Sequence, residues 1–216
     1  MSRPVLFGHA GHPHIRSIRF ALAEKGVAVR VQQKNELPAL GEQPAAPLGE
    51  PVLDTGGFVV RGPETVLRFV ADSYTGPALK PSDPHDLARM NRALEIGFHE
   101  AVTTLGRIAS HYLSTILSLD WIDPKGPAEL LADARETARK FETILGSDQF
   151  LAGKSMTLAD IVVASLLANV MDTPDGNLII APGSKLRIWW DRVSARDAFR
   201  LTQPENGALF GLLSAV

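Results

Sequence analysis

The stretch from Val5 to Val27, VLFGHAGHPHIRSIRFALAEKGV, sets the tightest limit on the architecture. Val5, Leu6 and Phe7 form a brief apolar run, as in a buried strand. A short turn rich in glycine and histidine follows. Pro13 suits the first turn of a helix, where its missing N–H is not needed. Ile15, Ile18 and Leu22 then recur at helical spacing as one apolar stripe, and Gly26 after Lys25 supplies a left-handed stop. The start of this helix points backbone N–H groups and a positive dipole end at whatever lies beside His12. An anion such as a thiolate suits that position.

Further along, Val27, Val29 and Val31 alternate with small or polar residues as a half-buried strand. The stretch NELPALGEQPAAPLGE, ending at Glu50, reads as a loop. Pro51 to Asp54 and Phe58 to Arg61 read as two strands joined by the tight turn Thr55-Gly56-Gly57. Gly62-Pro63 opens a helix with Val66, Leu67, Phe69 and Val70 on its apolar face. Beyond the proline-rich connector TGPALKPSDP the strand signals stop. Leu87 to Ser118 predicts one long helix, bent near Gly97 or Gly106, with Met90, Leu94, Phe98, Val102, Leu105 and Ile108 on one face. Pro127–Leu145, Thr157–Val170 and Ser184–Arg196 predict three more, the last capped by Ser184. The expected plan is an α/β domain over residues 1–76, a linker at 77–84 and an all-helical domain over 85–216.

Composition narrows the chemistry. A net charge of −2 gives no pull toward nucleic acid or an anionic membrane. The absence of cysteine removes disulfides, thiolate metal sites and any protein thiol nucleophile, so a thiol–disulfide oxidoreductase is excluded on the protein side. The start of the chain lacks the apolar core of a signal peptide, and no apolar run is long enough to span a bilayer, so the expected location is the cytoplasm. His9, His12 and His14 suggest a metal site. No carboxylate or thiolate lies close to them in sequence, and Pro13 turns the rings apart, so no metal is expected.

The most specific signal is LAGKSMTLADI, Leu151 to Ile161. Thr157 and Asp160 form a capping box, and Met156 with Ile161 a hydrophobic staple, together stabilising a helix start by roughly 1 kcal/mol. The wording closely resembles the same segment of the cytosolic glutathione transferase family. The resemblance extends to Glu24–Val27, Pro47–Leu53, Val66–Tyr74 and Trp189–Arg200. It implies a thioredoxin-like N-terminal domain that binds glutathione as co-substrate and an all-α C-terminal domain. Between them a small hydrophobic electrophile would bind, in a homodimer.

The same resemblance places His12 where the family carries its catalytic Ser or Cys. A neutral imidazole has one donor and one acceptor, so His12 can take the thiol proton or donate to the thiolate. The alternative is a histidine that merely caps the helix. Ser17 and Tyr74 are the other hydroxyls, and neither is placed for the role. Glu50 stands where the family has Val before a cis-proline, here Pro51, and the backbone pairing with glutathione expected there needs no particular side chain. Gly62-Pro63 falls on the family's Glu-Ser pair, and neither residue supplies its groups. Glu64-Thr65 offers those groups, rotated by about 200° around the helix. The wall toward the second domain is expected from Phe98, His99, Thr103 and Arg107. Two functions stay open: activation of the glutathione thiol for attack on an electrophile, or a non-catalytic binding or partner protein with a degraded glutathione site.

Overall fold

The computed structural model describes residues 3–32, 50–118 and 123–204. Most of the expected loop before Glu50 therefore lies outside the described residues. Four short strands, β1 (Val5–Phe7), β2 (Arg30–Gln32), β3 (Val52–Asp54) and β4 (Val59–Arg61), form one sheet in the order β2-β1-β3-β4. β1 and β2 are parallel, while β3 is antiparallel to both β1 and β4. The period of two decides the faces. Leu6, Leu53 and Val60 enter the main core, and Phe7 and Val52 form a small second cluster with Val5 and Val59.

Helices α1 (Pro13–Glu24) and α2 (Pro63–Ser73) contribute Ile15, Ile18, Leu22, Val66, Leu67 and Val70 to the main core. β2 is shorter than the valine alternation predicts. The cause is local: the Val27 amide donates to the Leu22 carbonyl at 2.8 Å and closes α1, so the ladder begins only at Arg30.

The rest of the described chain is helical. α3 spans Pro84–Glu95, a π-helical turn Ile96–Ala101, α4 Val102–Ile116, α5 Pro127–Leu145, α6 Leu158–Met171, α7 Gly176–Ile179, α8 Lys185–Ser194 and α9 Asp197–Arg200. The single long helix predicted from Leu87 instead starts at Pro84, with Asp83 accepting from the His85 and Asp86 amides, and it changes winding across Gly97. A Cβ on Gly97 would lie 3.0 Å from Val162 Cγ1, so glycine lets this turn press against α6. α6 is buried along nearly its whole length and runs beside α1, α3 and α4.

Asp160 anchors the start of α6. Its fully buried carboxylate accepts from the Thr157 amide and hydroxyl, the Leu151 amide and the Trp189 indole N–H. Burial pushes its pKa up and the four donors pull it back. The expected linker is also held, since Leu79 is buried and its carbonyl accepts from the Leu158 amide at 2.9 Å. Arg196 clasps Glu24 in a two-point bridge at 2.6 and 2.7 Å, joining the end of α1 to the residues after α8. No helix among the described residues is long and apolar enough to cross a membrane.

Candidate functional site

Strand register assembles the site. Phe7 pairs with Val52, and Val52 with Arg61, so the segments leaving or entering at these three residues share one margin of the sheet. Those segments are Gly8–His12, Glu50-Pro51 and Gly62–Thr65, and the Gly62 amide donates to the Pro51 carbonyl at 3.0 Å. Gly8 makes the turn out of β1 possible. Its φ is +148°, and a Cβ there would fall 2.2 Å from Ile15 Cδ1.

His12 is the N-cap of α1. Its backbone amide donates to the His9 carbonyl at 2.9 Å, and its Nδ1 accepts from the His14 amide at 3.2 Å. With Nδ1 an acceptor, the neutral ring carries its proton on Nε2. Pro13 has no N–H and the His14 amide is taken, which leaves the Ile15 amide as the remaining donor of the first turn. The free N–H groups expected at this helix start are thus mostly spent, and the imidazole is left as the leading polar group. Ser17 is buried and donates to the His14 carbonyl at 2.8 Å, an internal helix bond. Tyr74 caps the far end of α2 against Phe69.

His14, which the sequence suggested only as a metal ligand, instead packs against two rings. Its ring lies 5.1 Å from that of His12 and 5.4 Å from Phe98, bridging α1 to the π-helical turn. Burial, helped by the proximity of His12, lowers its pKa to about 4, so it is neutral near pH 7. Nothing in the local sequence signals this, because its partner Phe98 lies on a distant helix. Burial also lowers the pKa of His9. No group of three or more His, Cys, Asp or Glu among the described residues is arranged to hold a metal ion.

The other expected residues separate. Glu50 and Thr65 come together, with Oε1 and Oγ1 each 3.7 Å from the position a Gly62 Cβ would occupy. Glu64 turns away along α2 and pairs with Arg68 at 2.7 Å, which also donates to Asn91 on α3. No cis peptide bond occurs among the described residues, so Glu50–Pro51 is trans, unlike the bond the resemblance implied and like most X–Pro bonds. Of the four wall residues, half-buried Phe98 meets His14, while His99 and Thr103 are exposed. Arg107 donates through Nε and Nη2 to the two carboxylate oxygens of buried Asp123, tying α4 to the segment before α5. That fork holds the Asp123 carboxyl below the usual carboxylate range.

A thioredoxin-like sheet with two helices, followed by a helical bundle packed on its first helix, defines a two-part scaffold. The family model described as "Glutathione S-transferase, C-terminal domain" matches residues 129–200. Glutathione S-transferase 3 of Zea mays is 26% identical over 207 residues, covering 91% of each chain. Glutathione S-transferase F14 of Arabidopsis thaliana is 25% identical over 161 residues, covering 72% of this chain but only 63% of its own length. A theta-class glutathione S-transferase from Xanthomonas axonopodis pv. citri, solved with glutathione bound, superposes with a TM-score of 0.72 at 18% identity over 94% of this chain and 97% of its own. The chain is thus similar to glutathione S-transferases along most of its length, with their fold throughout and their C-terminal domain pattern over residues 129–200.

Proposed function

We propose that the protein binds glutathione along the Glu50-Pro51 margin with the thiol beside His12, and activates that thiol for attack on a small hydrophobic electrophile. The His12 cap carries this reading: Nδ1 is committed to the His14 amide, so Nε2–H is a hydrogen-bond donor suited to a thiolate. Of the two roles open to the ring, base or donor, this tautomer favours the donor. A thiol with an ordinary pKa near 8.5 needs only modest help to ionise. The sulfur then forms a bond to the electrophilic carbon, and the leaving group departs with its electron pair. Glu50 and Thr65 at Gly62 supply a carboxylate for the ligand's ammonium and a hydroxyl, replacing the pair absent from Gly62-Pro63. Phe98 supports an apolar wall for the electrophile. The working form on this reading is a cytoplasmic homodimer.

A second reading is favoured by two observations: Pro63 has no N–H to give, and Glu64 is tied to Arg68. It is a non-catalytic binding protein on the same scaffold. Calorimetric titration with glutathione, combined with the ultraviolet absorbance of the bound thiolate against pH, separates the two. We expect His12→Ala to keep most of the affinity but raise the bound thiol pKa by about one unit, equivalent to ~1.4 kcal/mol. Glu50→Gln weakens binding roughly tenfold through the lost ammonium contact. No binding at millimolar glutathione removes the enzyme and leaves the second reading.

A further inference from the structure

Arg16 lies one turn beyond His12 on α1. It is only 2% exposed, and its Nε and Nη1 have no hydrogen-bond partner. The guanidinium carbon sits 4.2 Å from the centre of the Phe199 ring. That cation–π contact covers one face of the group and satisfies none of its N–H donors. Burying a guanidinium without hydrogen-bonded compensation is expensive, and an orphaned buried donor of this kind calls for an occupant.

The space for one is present. A cavity of about 190 Å³ lies between α1, the end of α6 and the α8–α9 segment, lined by Arg16, Asp172, Trp190, Ser194, Arg200 and Gln203 among others. Two of these groups are cationic and one is anionic, with a hydroxyl and an amide beside them, so the lining as a whole attracts a negative guest. The guanidinium fork matches the planar or tetrahedral oxygens of a carboxylate or phosphate. Asp172 acts through space to favour the charged form of Arg16, while Arg19 and burial oppose it. None of the lining residues belongs to the His12, Glu50 and Thr65 margin.

We propose that this cavity is a binding site for a small oxyanion, a carboxylate or phosphate group held by Arg16 with Arg200 at its rim. The ligand is additional to glutathione and does not depend on the thiol site. The test uses the full chain without glutathione, with thermal melting and calorimetry in sodium phosphate or sodium acetate against sodium chloride at matched ionic strength. Saturable stabilisation by phosphate or acetate is expected, and which of the two binds identifies the source. Arg16→Met abolishes it, and Asp172→Asn strengthens it by roughly 3- to 10-fold because a like charge is removed. An equal response to chloride, or a response unchanged in Arg16→Met, overturns the proposal and leaves bridging water as the occupant. Where Arg16→Met fails to fold, Asp172→Asn decides: an unaltered affinity overturns it equally.

Discussion

Two histidines separated by one proline behave differently at the start of α1. His12 spends Nδ1 on the cap, whereas His14 is wedged between His12 and Phe98 and is held neutral. The depressed pKa of His14 has a defined consequence for stability. The unfolded chain takes up a proton near pH 6.5, and the folded one only near 4, so this contribution is complete above 6.5 and lost as the pH falls toward 4. At pH 4.5 the loss amounts to about 2–3 kcal/mol. Urea denaturation at pH 7 and 4.5 checks it: His14→Phe flattens the difference by that amount, and an unchanged difference contradicts it. The sequence showed that His12 occupies the helix start, because Pro13 and the Ile15, Ile18 and Leu22 stripe fix that start. It could not show that Glu64 would choose Arg68, or Arg107 choose Asp123. Those choices depend on which long side chains meet across or along helices, and spacing alone leaves several partners open.

At the level of elements, the departure from regularity between α3 and α4 has a steric origin. Gly97 sits 3.0 Å, measured from where its Cβ would be, from a methyl of buried Val162. Gly97→Leu therefore forces α6 and the π-helical turn apart and costs about 2–3 kcal/mol, as in other overpacked cores. Chemical denaturation measures the loss, and an unchanged midpoint contradicts close packing there. β1, β3, β4 and the span of α5 were legible because apolar runs, turn residues and Pro at the first helical position mark their limits. α7 and α9, four residues each, were not, since a single turn is too short to display a period. β2 was overread because alternation persists at Val27 and Val29 even though the Val27 amide is already engaged by α1.

Across the whole molecule, the bridge between Glu24 and Arg196 fastens the first helix to the far end of the chain. Its two partners are unequally buried: the Glu24 side chain is 6% exposed and that of Arg196 38%. Removing the guanidinium strands a buried carboxylate, while removing the carboxylate leaves a cation that can still reach water. Arg196→Ala is thus expected to cost about 2–3 kcal/mol and Glu24→Ala clearly less. Equal losses in thermal denaturation contradict this. The two-part plan was readable in outline from the point where strand signals end, and the capping box at Thr157 carried the resemblance. The bridge itself links residues far apart in the chain, which no local pattern reports.

The row Phe7, Val52 and Arg61 has a consequence for how such a protein can change. The segments proposed to receive glutathione hang from one border of the sheet, while the ladder behind them is maintained by other residues. Reshaping those three short outgrowths alters what is recognised without disturbing how the chain folds. Ligand preference and foldability are therefore free to drift independently.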